Sequence, residues 1–90
     1  MTLRPEFTGK FRKELRLMEK RGKDPAKISA ILHKLLHQEP LAPKHRDHNL
    51  VGNYVGCREC HVEPDWLLIY TVGGDWIRFE RTGTHSDLFD

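Results

Sequence analysis

The stretch Trp66-Leu67-Leu68-Ile69-Tyr70-Thr71-Val72-Gly73-Gly74-Asp75-Trp76-Ile77-Arg78-Phe79-Glu80-Arg81 decides the fold class. Two runs rich in β-branched and aromatic residues flank Gly73-Gly74, the signal of two strands joined by a tight turn. Glycine in that turn is expected to supply a positive φ. In the second run Ile77 and Phe79 fall on one face and Trp76, Arg78 and Glu80 on the other, the period of a half-buried strand. The first run is apolar from Trp66 to Tyr70, so it reads as a central strand, covered by helices on one face and partly covered on the other. Upstream, Tyr54 to Val62 makes a third strand, with Pro64 in a connection or at an edge.

Further back the period changes to that of helices. Phe7, Phe11, Leu15 and Met18 stack on one face, and Gly22 ends the run as a C-terminal cap. Asp24-Pro25 starts a second helix, whose apolar stripe is Ile28, Ile31, Leu32 and Leu35 and whose stop is Pro40. Helices this short need an apolar surface to rest on. Residues 1–5 make one more short strand. The predicted class is α+β in the order β-α-α-β-β-β: an antiparallel-rich sheet of about four strands with an N-terminal helical hairpin packed on one face. Residues 1–90 read as a single domain, since no repeat, linker or low-complexity tract divides them and a chain this short builds one small core.

That size leaves little room for a large organic cofactor and suits a polymer lying across an open face. The longest apolar run, Trp66 to Tyr70, is far too short to span a membrane. The start of the chain lacks the apolar stretch of a secretory signal, and two cysteines two residues apart make a poor disulfide framework, so a reduced, cytoplasmic protein is expected. Charge is divided unevenly. Residues 1–48 hold twelve Lys/Arg against six Asp/Glu, and residues 49–90 hold three against seven. The basic half is a candidate for nucleic-acid phosphates or an acidic partner.

Six histidines in ninety residues is a high content. His33 and His37 share a helix face four residues apart, a spacing that suits a metal, although histidines near a helix C-terminus also complement its dipole, the reading preferred here. His45, in Lys44-His45-Arg46, reads as a solvated residue or a phosphate contact. His48, His61 and His85, with Asp65, have a stronger use if they converge. RNA carries its own nucleophile, the 2′-hydroxyl. Cleavage needs a base for that proton, an acid for the departing 5′-oxygen, and cations for the charged transition state. Imidazole suits both proton transfers, a carboxylate orients it, and Arg81 offers a planar fork to phosphate oxygens. No cofactor is needed for that chemistry. Trp66 and Phe89 are candidate stacking surfaces for a base.

Cys57-x-x-Cys60-His61, with His85, offers a competing zinc reading, but on a strand positions 57 and 60 face opposite ways. A further alternative is a non-catalytic adaptor that binds a protein partner through the same scaffold.

Three ordered motifs carry a resemblance: Arg46-Asp47-His48-x-Leu50, then Gly56-x-Arg58-Glu59-x-His61-Val62-Glu63-Pro64-Asp65-Trp66-Leu67-Leu68-Ile69-Tyr70, then Arg78-Phe79-x-Arg81-Thr82-Gly83-Thr84-His85-Ser86-x-Leu88-Phe89. Over essentially its whole length the chain resembles the YafQ branch of the RelE/ParE toxin superfamily. The resemblance implies a ribosome-dependent endoribonuclease toxin that cuts mRNA in the decoding site of the 70S ribosome. It implies a ribbon-helix-helix antitoxin as partner, operator DNA reached only through the antitoxin complex, and no membrane. It places His48, His61, Asp65 and His85 as catalytic residues and Phe89 as a terminal aromatic beside the messenger. Arg81 is then a phosphate or transition-state contact. On that reading Lys44, Arg46 and Trp66 touch the messenger, and Lys10, Lys13, Arg16, Lys20 and Lys27 meet the ribosomal RNA backbone. Superfamily members that act on other targets, including DNA gyrase, lack this set of histidines. Cys57 departs from the pattern, standing where the family often has an aromatic ring.

Overall fold

A computed structural model describes residues 1–89. Its elements run β1 (Arg4–Phe7), α1 (Gly9–Lys20), α2 (Pro25–Leu36), β2 (His48–Asn49), β3 (Arg58–Glu63), β4 (Trp66–Val72), β5 (Trp76–Gly83) and α3 (His85–Phe89), with single 3-10 turns at Pro43–His45 and Gly52–Tyr54. The strands form one sheet in the order β1-β5-β4-β3-β2. β1 lies parallel to β5, and every other pairing is antiparallel.

The helix boundaries follow from local chemistry. Thr8 Oγ1 accepts from the Phe11 N–H at 2.9 Å and Asp24 Oδ1 from that of Ala26 at 3.0 Å, satisfying donors that a helix start leaves open. Gly22 sits at φ 93°, and the Lys23 N–H then reaches back to the Met18 carbonyl at 3.1 Å, the closing bond of a left-handed C-terminal cap.

Strand alternation then sorts the core. Phe11 and Met18 of α1 and Ile28, Ile31 and Leu35 of α2 bury one face of the sheet against Cys60, Val62, Trp66, Leu68, Tyr70, Ile77 and Phe79. The opposite face carries a much smaller cluster, Leu67, Ile69 and Leu88, with Leu50, Tyr54 and Cys57 packed at its margin. The run from Trp66 to Tyr70 is therefore apolar on both faces because both faces are covered, the second by α3 and the 50–57 segment.

Several expectations are corrected. The sheet has five strands rather than about four, because β2 is two residues long and too short to show a period. The third strand begins at Arg58, not Tyr54, since residues 52–54 form a 3-10 turn and Gly56 turns at φ 93°. Phe7 ends β1 instead of opening α1, yet its ring still meets Phe11 and Phe79 at 5.9 and 5.3 Å. Gly73 and Gly74 are not among the positive-φ residues. Gly73 is required for a different reason: a Cβ there would fall inside the Trp76 indole. α3 is five residues long, below any helical period the sequence could display. No helix among the described residues is long and apolar enough to cross a membrane.

Candidate active site

Period two along β3 puts Glu59 and His61 on the same face, and the antiparallel register sets His48 of β2 directly opposite Glu59. One carboxylate thus reaches two imidazoles. Glu59 Oε1 lies 3.5 Å from His48 Nε2 and 3.3 Å from His61 Nε2. The Glu59 side chain is 6% exposed, and a carboxylate so enclosed requires such partners.

The other nitrogen of each ring faces a carbonyl. His48 Nδ1 donates to the Arg46 carbonyl at 2.5 Å, a direction set by Arg46 in the left-handed region at φ 46°. His61 Nδ1 donates to the Pro64 carbonyl at 3.3 Å. A carbonyl only accepts, so both Nδ1 atoms carry hydrogen. A neutral ring would then turn its Nε2 lone pair toward Glu59. One enclosed carboxylate oxygen thus faces Nε2 of both rings, so the cluster pairs opposite charges whenever either ring is protonated.

His85 opens α3. Its position rests on a reciprocal cap: the Asp87 N–H donates to Thr84 Oγ1 at 3.1 Å, and the Thr84 N–H donates to Asp87 Oδ2 at 2.9 Å. A Cβ on Gly83 would come within 2.9 Å of Asp87 Cβ, so Gly83 allows the cap to close. Arg21, at the end of α1, clamps Asp87 from outside at 2.7 Å. With the Thr84 N–H it holds the Asp87 carboxyl down at about 2.

Asp65, in the turn between β3 and β4, accepts from the His85 backbone N–H at 2.9 Å and from His85 Nδ1 at 2.6 Å. These two bonds, the backbone one foremost, hold the Asp65 carboxyl below its usual range. They leave Nε2 of this exposed ring with no hydrogen-bond partner among the described residues. The His61 and His85 rings meet edge to face, with centroids 5.7 Å apart. Phe89 lies 6.4 Å from His85 and 5.7 Å from Tyr54. Tyr54, Phe89, Val51, Asn53 and Leu88 line a shallow depression of about 420 Å³.

The three histidines and Asp65 therefore meet on the sheet face turned away from α1 and α2. Residues 3–90 match the family model described as the bacterial toxin of a type II toxin–antitoxin system, YafQ. The chain belongs to the YafQ toxin family. It is 44% identical over 85 residues to the mRNA interferase toxin YafQ of Escherichia coli, covering 93% of this chain and 92% of that one. Among solved structures it is similar to YafQ from Escherichia coli, with a TM-score of 0.93, 40% identity, and 98% and 99% of the two chains covered. It is equally similar to YafQ in the Escherichia coli DinJ–YafQ toxin–antitoxin complex, with a TM-score of 0.91, 41% identity and full coverage of both chains.

Other predicted site residues lie elsewhere. Trp66 is fully buried among the residues under the helices, and its Nε1–H donates to Thr82 Oγ1 at 2.9 Å. It has no surface on which a base could stack, so that expectation is corrected. Arg81 is held by Glu14, with Nη2 at 2.5 Å from Oε2, while Nη1 donates to the Tyr54 hydroxyl at 2.8 Å. Glu14 keeps that guanidinium more firmly charged than usual. Lys27 is tied to Glu63 at 2.8 Å. Lys44 lines a separate depression of about 270 Å³ with Lys27, Lys34 and His45. His45 is half-buried, and its Nδ1 donates to the His61 carbonyl at 2.7 Å, tying the 43–45 turn to β3. Lys10, Lys13, Arg16 and Lys20 line one exposed groove along α1.

Cys60 lies in the helix-covered core, where burial pushes its thiol up to about 12, and Cys57 packs on the other face. The two sulfurs cannot serve one zinc ion. Cys57 Sγ instead meets Thr71 Oγ1 at 3.5 Å. Glu59 and Tyr54 are the site residues that sequence reasoning missed. Glu59 was legible only once β2 was known to pair with β3, and Tyr54 was absorbed into a strand that starts four residues later.

Proposed function

We propose that this protein is an mRNA interferase, an endoribonuclease that acts on messenger in the ribosomal decoding site, and that a cognate antitoxin blocks it. The observation that carries this reading is the contrast between the two histidine environments. His85 has Nδ1 fixed on Asp65 and Nε2 open. His48 and His61 have Nδ1 fixed on carbonyls and Nε2 turned to Glu59.

The reaction is transesterification within RNA. The 2′-oxygen bonds to the adjacent phosphorus, the bond from phosphorus to the 5′-oxygen breaks, and the products are a 2′,3′-cyclic phosphate and a 5′-hydroxyl. One proton leaves the 2′-hydroxyl and one reaches the departing 5′-oxygen. His85 Nε2 takes part in proton transfer at the scissile phosphate, and Asp65 fixes the ring through Nδ1 and the backbone N–H. His48 and His61, whose Nε2 atoms gather at Glu59, meet the charge that builds on the phosphate oxygens when they are protonated. Arg81 adds those N–H donors not taken by Glu14 and Tyr54. Phe89 and Tyr54 form the platform on which the base beside the cut stacks, a contact worth roughly 1–3 kcal/mol.

The groove of Lys10, Lys13, Arg16 and Lys20, with Arg46, supplies phosphate contacts to ribosomal RNA, which position without reading sequence. The DinJ–YafQ complex of the relative supports a toxin–antitoxin partnership for this chain. A ribbon-helix-helix antitoxin fits, and operator DNA is then bound only through the pair. The test is a translation-coupled cleavage assay of wild type beside His85→Ala with the cut ends mapped. The expected result is a 5′-hydroxyl on the downstream fragment and a loss of about 10²–10⁴-fold in rate for the variant. Equal cutting by the two proteins would remove His85 from the chemistry.

A further inference from the structure

We propose that His33, His37 and Glu39 form a surface site for a transition-metal dication of the zinc(II) class at the C-terminal end of α2. Residues four apart on a helix share a face, and the two rings here lie 4.2 Å apart between centroids. The chain does not then run away from them. Gln38 adopts φ 57°, the Glu39 N–H bonds the Lys34 carbonyl at 2.8 Å, and Gln38 Nε2 donates to the Met1 carbonyl at 2.9 Å. That left-handed turn at a non-glycine residue folds Glu39 back beside the histidines. The three side chains each present one donor atom, all within 4.8 Å of one another.

Protonation favours ligation as well. His37 Nδ1 lies 2.9 Å from the His33 carbonyl, which only accepts. Nδ1 is therefore the N–H, and the Nε2 lone pair faces outward, the arrangement by which a carbonyl orients a metal-binding imidazole. The carbonyl end of the helix dipole also favours a cation. Two imidazoles and one carboxylate suit zinc(II), copper(II) or nickel(II) and not magnesium or calcium. At bond lengths of about 2.0–2.1 Å, tetrahedral donors sit about 3.3 Å apart, so the three exposed side chains close by a small rotation, with water as the fourth ligand. None of these residues belongs to the His48–His61–His85 cluster. Bound metal clips Glu39 to α2 at the start of the segment that leads to His48.

The experiment titrates zinc(II) into the intact chain, above the imidazole range near about 6.5. It reads heat of binding together with the imidazole carbon-bound proton resonances. Wild type, His33→Ala/His37→Ala and His85→Ala are compared, all at exposed positions. His33 and His37 resonances are expected to move together in wild type and in His85→Ala. The double variant should lose that event or weaken it more than about tenfold, and Glu39→Gln should weaken it less. Resonances of His33 and His37 that stay still at saturating zinc, uptake unchanged in the double variant, or zinc held only by the other histidines would each overturn the site.

Discussion

At the residue scale the site works by denying each imidazole a free choice of tautomer. Carbonyls of Arg46 and Pro64 and the Asp65 carboxylate claim Nδ1 of His48, His61 and His85 respectively. On the proposed mechanism the chemistry is thereby confined to Nε2 in all three rings, and the rings differ in what faces that nitrogen. Asp65 gives a pH test. Its folded carboxyl titrates below the unfolded value, so the two bonds to His85 are fully present above about pH 4 and are lost as pH falls through the lower folded value. The His85 backbone amide resonance reports that event. Its midpoint is expected below about 3.9, and a midpoint at or above that value would show that Asp65 does not hold His85. The three histidines and Asp65 were legible because each stands inside a long ordered motif. Glu59 stood in the same motif but gave no separate signal, since its role comes from a cross-strand neighbour eleven positions earlier.

At the scale of elements, the short pieces carry the proposed catalytic side chains and the long ones hold them. β2 contributes His48 from two residues, and α3 contributes His85 and Phe89 from five. Neither is stable by its own hydrogen bonds, and both exist because stronger elements fix their ends. For α3 those fixtures are the Thr84–Asp87 cap, the Leu88 side chain on Leu67 and Ile69, and the Arg21 clamp reaching from α1. Thr84→Ala removes the cap oxygen and is expected to cost about 1 kcal/mol of stability while lowering cleavage more than that loss explains. Thermal unfolding and cleavage measured on the same protein check this. Wild-type rates at full cap loss would detach α3 from catalysis. Asp24-Pro25 and the apolar run of β4 were readable from local signals alone. β2 and α3 were not, because periodicity needs more residues than either contains.

For the whole molecule, the uneven charge of the two halves resolves into contacts between them. Glu63 meets Lys23 and Lys27, Asp75 meets Arg4, and Asp87 meets Arg21, so the acidic half neutralises part of the basic one. In the other direction Glu6 holds Arg78 and Glu14 holds Arg81. The counts along the chain were legible, but the pairing was not, because it depends on which faces the fold brings together. Lys10, Lys13, Arg16 and Lys20 enter none of the ion pairs among the described residues and share one groove along α1 with Glu14 and Leu17, the surface proposed above to meet ribosomal RNA. Replacing these four with alanine is expected to weaken ribosome binding and to flatten its dependence on salt, because each phosphate contact adds roughly 0.7–0.9 to the slope of log K against log salt. An unchanged slope would assign the groove another role.

On the proposed mechanism the messenger supplies its own nucleophile while the protein moves protons and steadies charge. A messenger carrying a single 2′-deoxynucleotide immediately before the mapped cut, translated beside its all-ribose counterpart, tests it most directly. Cutting at that position is expected to stop while neighbouring positions are still cleaved. Continued cutting at the deoxy position, leaving a 5′-phosphate, would contradict it.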